Sequence, residues 1–216
     1  MKKILKCAIC LILVFSTFML CGCDDSKSLV GEYEAQRDYA ALFNYIMNES
    51  AEENTLKVMS LKAVEKISFN EDGTYKVAVE ENEIENVKRN AREQLRTALV
   101  SYYVKLIADS GLNVTADQYL ASVGTSFEDL LREMKIEETV EKMFSTSCFE
   151  GRYKANKGRL YRSNSLDTTY DKKVYETYTL IGGVLTLKES INEKEEKSEE
   201  EIKIEKMLYP IKYVKK

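Results

Sequence analysis

Histidine and tryptophan are absent from the 216-residue sequence, and proline occurs once. Histidine is the side chain that most often serves as a general base or metal ligand near neutral pH. Outside residues 1–22 there is also no glycine-rich phosphate loop and no metal-ligand spacing, and neighbouring acids such as Glu137 and Glu138 point to different faces. We therefore predict that the protein is not an enzyme and holds no cofactor or metal. A carboxylate pair brought together by folding is the one catalytic arrangement left open.

A secretory signal peptide is predicted at residues 1–22. Lys2, Lys3 and Lys6 precede an apolar run at 7–20, which is the order of such a signal. The run of about 14 residues is shorter than the roughly 20 that cross a bilayer, and no stop-transfer pattern follows it. We therefore expect an exported protein without a permanent membrane helix.

The residues that close this run, Leu20-Cys21-Gly22-Cys23, resemble the lipobox of bacterial lipoproteins. The resemblance implies that Cys23 becomes the mature N-terminus and carries a diacylglyceryl group. Two acyl chains suffice for stable anchoring, so the protein would sit at the extracytoplasmic face of the cell membrane. Residues 23–28 would then form a short polar tether. The alternative is an ordinary signal peptide followed by a chance cysteine.

Cysteine and charge counts change once this cleavage is accepted. Of the five cysteines, three leave with the signal peptide and Cys23 is consumed by the lipid, so Cys148 has no disulfide partner. We predict that Cys148 is a small buried apolar side chain. Cleavage also removes three of the 32 basic side chains and none of the 36 acidic ones, and an acidic exported protein is a poor partner for nucleic acid.

Short alternating segments predict strands on both sides of a helical region. They lie at 29–35, 67–77, 149–155, 158–161, 173–181, 184–188 and 208–214, with a helix at 38–47. Asp72-Gly73 and Gly182-Gly183 are strong hairpin signals, because glycine tolerates positive φ in tight turns. Residues 192–201 are almost wholly charged, and we expect an acidic mobile loop there.

Residues 83–146 differ from their surroundings, because their apolar positions recur with a period near 3.6. Leu95, Leu99, Tyr102 and Leu106 share one helical face. Thr115 with Gln118, and Thr125 with Glu128, have capping-box spacing and predict two further helix starts. We predict a helical insertion at about 83–146.

The order of several motifs suggests a family. They are Gly31-Glu32-Tyr33, the Phe69 to Tyr75 hairpin, Gly151-x-Tyr153, Tyr178-x-Leu180 with Gly182-Gly183, and Tyr209-Pro210-x-x-Tyr213. Together they resemble lipocalin-like lipoproteins of Gram-positive bacteria, with Tyr33 where classical members have tryptophan. The resemblance implies an α+β fold: an antiparallel β-meander or lipocalin-like barrel over 29–214, interrupted by the helical insertion. It also implies a cavity lined by barrel aromatics, among them Tyr33, Phe69, Tyr75, Tyr153 and Tyr178.

The function that these observations favour is non-covalent binding. One reading is a small apolar ligand held by the barrel; the alternative is that the helical insertion docks another envelope protein. Barrel mouths and domain junctions are where pockets usually form. We therefore predict a site at the junction of insertion and barrel, built from Tyr102, Tyr103, Phe144, Phe149 and Tyr153.

Replacing the lipid acceptor, Cys23→Ala, is expected to leave an unprocessed or mislocalised precursor, because no other cysteine stands at the end of the signal peptide. Metabolic labelling with a fatty acid measures this directly. Undiminished label on the variant would disprove the lipidation site.

Overall fold

A computed structural model describes residues 25–48 and 56–216. The predicted signal peptide and Cys23 lie outside these residues. The helices are α1 (Ser26–Leu29), α2 (Ala40–Asn48), α3 (Glu81–Asp109), α4 (Ala116–Ser122), α5 (Phe127–Glu133), α6 (Ile136–Ser147) and α7 (Glu199–Leu208). The strands are β1 (Gly31–Asp38), β2 (Lys62–Phe69), β3 (Thr74–Val79), β4 (Phe149–Asn156), β5 (Arg159–Arg162), β6 (Val174–Ile181), β7 (Val184–Asn192) and β8 (Ile211–Lys215).

The eight strands form a closed antiparallel barrel in which each strand pairs with its neighbours in sequence. Closure depends on β1 and β8, whose backbones pair at Tyr33 with Lys215 and at Glu34 with Val214. A closed barrel leaves no free sheet edge to pair with another chain. The predicted α+β class, a barrel with a helical insertion, is confirmed.

The two ends of the barrel are built differently. At one end, which we call the hairpin end, tight turns join β2 to β3, β4 to β5 and β6 to β7, with glycines at positive φ. At the opposite end, which we call the helical end, every connection is long. Three of these four connections carry helices, and the fourth is the loop at 163–173. Any opening into the barrel must therefore be sought at the helical end.

The hairpin end is covered by α1. The Asp25 backbone N–H donates to the carbonyl of Ala155 at 2.9 Å, and the Ser26 hydroxyl accepts from the Ala155 N–H at 2.8 Å. Leu29, the last residue of this helix, is completely buried in the barrel core. Two residues of the predicted tether, Asp25 and Ser26, thus bind β4 directly.

The barrel interior is filled over most of its length. Phe69 packs against Tyr33, Tyr75 and Tyr153, at ring-centroid distances of 6.1, 6.2 and 4.8 Å. Tyr178 is buried in the same cluster. These five aromatics, expected to line a ligand cavity, are therefore core side chains, because a small barrel fills its own interior.

The insertion spans α3 to α6 and has a separate core, shared with α2. Helix α3 has 29 residues and is about 43 Å long. Its buried face, which includes Val87, Ala91 and Leu95, packs on α6 and on the start of β2. The helices of the insertion run from Glu81 to Ser147.

Helix caps within the insertion were only partly predictable. The Thr115–Gln118 capping box is present, whereas the predicted cap at Thr125 is wrong. Ser126 caps α5 instead, because its hydroxyl accepts from the Asp129 backbone N–H at 3.2 Å. Adjacent Thr and Ser offer the same chemistry, and only the backbone conformation decides which is used.

The charged interval 192–201, expected as a loop, also differs from expectation. It contains the last residue of β7 and the first turn of α7. Ser198 and Glu201 form a reciprocal capping box, and three glutamates in the first turn favour the positive end of the helix dipole. Within the described part of the chain, no helix is both long and apolar enough to cross a membrane.

Candidate functional site

Charged side chains enter the barrel at its helical end. Alternate residues of a strand face the same side, so the buried inward row of β1 runs through Tyr33 and Ala35 to Arg37. The inward row of β2 likewise includes Glu65, which is 1% exposed. On the other side of the barrel, β5 contributes Arg162 and β6 contributes Glu176.

The first ion pair joins Arg37 to Glu65. Nη1 of Arg37 lies 2.8 Å from Oε2 of Glu65, and Nη2 donates to the carbonyl of Leu208 at 3.2 Å. The hydroxyl of Tyr39 donates to the same carboxylate oxygen at 2.7 Å, and that of Tyr213 donates to the other oxygen. The buried carboxylate therefore has a donor on each oxygen, as a buried charge requires.

The second ion pair joins Arg162 to Glu176. Nη2 of Arg162 lies 2.6 Å from Oε2 of Glu176, and the hydroxyl of Tyr209 donates to Oε1. The guanidinium lies 5.3 Å from the ring centroids of both Tyr75 and Phe149. The two rings also contact each other, at a centroid distance of 5.8 Å, so they form one aromatic surface against which Arg162 packs.

The backbone after Arg162 is held in place by a close approach to β4. A Cβ added to Gly151 would lie 2.0 Å from the carbonyl oxygen of Ser163, so only glycine fits at this position. The same oxygen accepts from the Tyr75 hydroxyl at 2.9 Å, and the Ser163 hydroxyl accepts from the Arg152 N–H. Gly151 thus allows the contacts that position Arg162.

A cavity of about 150 Å³ opens between the two ion pairs. Its lining includes Arg37, Glu65, Arg162, Tyr209 and Tyr213 on the barrel side, Thr146 and Ser147 at the end of α6, and Leu208 at the end of α7. It therefore lies where the insertion, α7 and the barrel meet. The site predicted at the junction of insertion and barrel shares one residue, Phe149, with this cavity.

Hydrogen-bond donors outnumber free acceptors around the cavity. Within residues 25–48 and 56–216, Nη2 is the only side-chain nitrogen of Arg162 that contacts an acceptor, although a guanidinium carries five N–H groups. Both oxygens of Glu65, in contrast, already accept from protein donors. The cavity is therefore suited to a group that brings acceptors.

Burial and the two carboxylates keep the surrounding tyrosines neutral. Burial, followed by the charge of Glu65, raises the pKa of Tyr213 and of Tyr39. Burial and Glu176 raise the pKa of Tyr209 in the same way, and burial raises the pKa of Tyr75 to about 12. At neutral pH all four hydroxyls are donors.

The arginines remain charged despite their burial. Burial, the largest single effect, lowers the pKa of Arg162, but Glu176 and the neighbouring tyrosines together outweigh it and the net shift is upward. For Arg37, too, burial lowers the pKa and Glu65 raises it, and the net shift is upward. Two guanidinium ions therefore face the cavity.

An outer groove of about 450 Å³ lies next to the cavity, between α3, α6 and the strands β3 and β4. Its apolar lining includes Val79, Ile84, Phe144, Cys148 and Phe149. Burial raises the pKa of the Cys148 thiol, which is partly exposed and not fully buried as predicted. Phe149 and Val77 line both spaces, so these two side chains separate the groove from the cavity.

The five predicted binding residues lie in three places. Phe144 and Phe149 meet in the outer groove. Tyr153 is buried near the hairpin end, where its hydroxyl donates to the carbonyls of Ser26 and Asn70. Tyr102 and Tyr103 lie about 30 Å along α3 from its start. Tyr102 is 47% exposed, whereas Tyr103 packs against Tyr119 and Phe127.

The three charged residues that line the cavity, and Glu176, which pairs with one of them, were not predicted from the sequence. The sequence does contain one indication of them. Arg37 and Glu65 each lie an even number of residues from the apolar side chains that face inward on the same strand. A charge at an inward position indicates a buried ion pair or a site.

A scan against protein-family models and searches of the curated proteins and of the solved structures found no match to this chain. The closed eight-stranded antiparallel barrel with its helical insertion is consistent with a lipocalin-like fold. Among the described residues, no group of three or more His, Cys, Asp or Glu could hold a metal ion.

The buried tyrosines predict how stability depends on pH. A hydroxyl whose pKa is raised by folding contributes its full stability below the unfolded pKa of about 10, and loses it as the pH rises towards the folded value. Each such tyrosine lowers the free energy of unfolding by up to about 1.4 kcal/mol per pH unit in this range. The free energy of unfolding should therefore fall above pH 10.

Tyr213→Phe isolates this effect, because it removes one raised pKa and one donor to Glu65. At neutral pH the variant should be less stable by about 1.5–3 kcal/mol. That difference should narrow between pH 10 and 11, as measured by urea unfolding, whereas Tyr102→Phe, an exposed control, should show no such trend. A constant difference would contradict the assignment.

Proposed function

We propose that the protein is an extracytoplasmic lipoprotein that binds a small ligand non-covalently at the helical end of its barrel. The observation that carries the proposal is the cavity between Arg37–Glu65 and Arg162–Glu176, which is lined by guanidinium groups with unused donors. Its position at a barrel mouth and domain junction is typical of ligand sites.

Stability alone does not account for these charges. Replacing a buried ion pair by packed apolar side chains is often neutral or stabilising, because two desolvated charges cost several kcal/mol that their attraction only partly repays. The chain nevertheless carries two such pairs at 2–16% side-chain exposure, beside an unfilled space. A recognition role supplies the reason for keeping them there.

The size of the cavity limits the ligand. About 150 Å³ is below the roughly 300–1,000 Å³ of sites for drug-sized molecules. Since the aromatic interior is filled, the small apolar ligand expected from the sequence has no room in the barrel core. The ligand we propose is therefore small and polar at the end that meets the arginines.

The location of the cavity suits a lipid-anchored protein. Asp25 follows the proposed lipidated residue, Cys23, by two positions and is bound to β4 and the β4–β5 turn at the hairpin end. The anchor would therefore attach beside the hairpin end. The cavity, at the helical end, would face away from the membrane and be open to solutes.

A second candidate function rests on the far end of the insertion. Five of the exposed large apolar side chains lie there: Tyr102, Val104, Leu112, Val114 and Val123. Near the start of α3, Glu83 accepts a hydrogen bond from the Val64 N–H of β2. Further along the helix, Gln94 donates to the carbonyl of Ser60, which precedes β2. The remainder of α3 therefore projects beyond the barrel. Exposed apolar patches of this kind mark protein-binding surfaces, and docking of an envelope protein is the function they favour.

Filling the cavity tests the ligand-binding proposal. Ser147→Phe places a ring in the cavity from the end of α6, and Ser101→Phe makes the same change on the exposed surface of α3. The probes are monocarboxylates, amides, alcohols and amines of up to about eight heavy atoms, detected by saturation-transfer NMR. We expect at least one class to bind the wild type and Ser101→Phe, and to lose binding in Ser147→Phe.

Equal binding to all three proteins would place the ligand elsewhere. No binding by any probe class would refute a small-ligand site at the cavity. Overpacking lowers the free energy of unfolding by about 1–3 kcal/mol, so thermal melting of each variant is needed to check that it folds.

A further inference from the structure

We propose that the ligand group held in the cavity is a monocarboxylate and that Arg162 is its main contact. This inference rests on the proposed function and names the chemistry of the same site. It follows from the donors, the acceptors and the charges around the cavity, taken in turn.

The donors come first. Arg162 lines the cavity, and only its Nη2 contacts an acceptor among the described residues. Arg37 uses Nη1 for Glu65 and Nη2 for the Leu208 carbonyl. A guanidinium has five N–H groups in one plane, so several donors remain unused on each arginine, and more on Arg162.

The acceptors are already occupied. Oε2 of Glu65 accepts from Arg37 and Tyr39, and Oε1 accepts from Tyr213. Glu176 contacts Arg162 through one oxygen and accepts from Tyr209 through the other. A bound cation would have to displace these donors, whereas a bound anion meets donors that are free.

The geometry of Arg162 favours a planar two-oxygen group. The ring centroids of Tyr75 and Phe149 lie 5.3 Å from its guanidinium carbon and 5.8 Å from each other, so both rings pack on one side of the guanidinium. The N–H groups of the guanidinium form a planar fork. A carboxylate matches this fork with two parallel hydrogen bonds. The cavity also has apolar wall atoms, from Val77, Ile211 and Phe149, which suit a short hydrocarbon tail.

The charges around the cavity favour a ligand with a single negative charge. Two arginines and two glutamates in this part of the barrel sum to zero, so a monocarboxylate adds one negative charge to a buried site. A dianion would add two, at a larger desolvation cost. Inorganic phosphate should therefore bind more weakly than a monocarboxylate of similar size.

The test compares butyrate with butyramide, which has the same shape but no charge, and with inorganic phosphate. Titration is followed by calorimetry on the folded protein without its signal peptide. Butyrate should bind at least tenfold more tightly than either butyramide or phosphate. Butyramide binding as tightly as butyrate would refute charge recognition while leaving the proposed binding site intact, and tighter phosphate binding would refute a monocarboxylate.

Variants of the second ion pair identify the contact. Glu176→Gln removes the carboxylate that competes for Arg162 but keeps a side chain of the same size, so butyrate affinity should rise at least fivefold. Adding Arg162→Gln to that variant should lower the affinity at least tenfold. Arg159→Gln, on the outer face of the same strand and 48% exposed, is the matched control and should leave affinity unchanged.

Glu176→Gln, alone and together with Arg162→Gln, allows Arg162 to be tested without leaving a buried carboxylate unpaired. Arg162→Gln alone would leave a buried carboxylate unpaired and is expected to be strongly destabilised, which is why Glu176→Gln accompanies it. If the double variant does not fold, the response of Glu176→Gln decides the matter. Unchanged or weaker butyrate binding in Glu176→Gln would overturn the role of Arg162. If no probe of any class binds the wild-type protein, the proposed function itself is overturned.

Discussion

The interaction on which the helical end of the barrel depends is the burial of Glu65 with its three donors. Backbone pairing between β1 and β8 is limited to two residue pairs, both towards the hairpin end. Further along these strands, the Tyr213 hydroxyl connects β8 to Glu65 of β2, and Arg37 connects β1 to Glu65 and to the carbonyl of Leu208. Side chains therefore continue the closure that the backbone begins. Loss of one partner would leave a buried charge unpaired, which is costly.

The two ends of the barrel differ in construction. The hairpin end has short turns, a covering helix and an aromatic core. The helical end has long connections and two ion pairs, and it contains the cavity. Helix α7 borders the cavity through Leu208 but has no buried residue of its own, and its contacts with α2 and β7 are largely polar, such as that of Glu205 with the Ser190 N–H. Elements held in this way are the ones that open most readily.

Local sequence patterns account for much of the fold. Asp72-Gly73 and Gly182-Gly183 mark real hairpins, and the change of period near residue 83 marks the insertion, because turns and amphipathic faces are encoded by neighbours in sequence. Barrel closure could not be read in this way, since β1 and β8 are separated by nearly the whole chain. Helix α7 was missed because its capping box, Ser198 with Glu201, lies inside a run of charged residues.

Most of the side chains that line the cavity could not be predicted from the sequence. Of the five predicted binding residues, Phe149 alone lines it. Arg162 and Glu176 could not be paired from the sequence, because their contact depends on the register of β5 on β6, where only two residue pairs are formed. Tyr102 and Tyr103, predicted to lie near the border of insertion and barrel, lie far from the cavity because α3 continues well beyond the barrel.

The most direct measurement of the central claim is the side-chain ¹H–¹⁵N NMR spectrum of the arginines during titration with butyrate. The Nε resonance reports on the hydrogen bonding of each guanidinium separately. A ligand between the two ion pairs should shift the signals of Arg162 and Arg37 in a saturable way and leave Arg159, on the outer face of β5, unchanged. Saturable binding that moves neither cavity arginine would contradict the account.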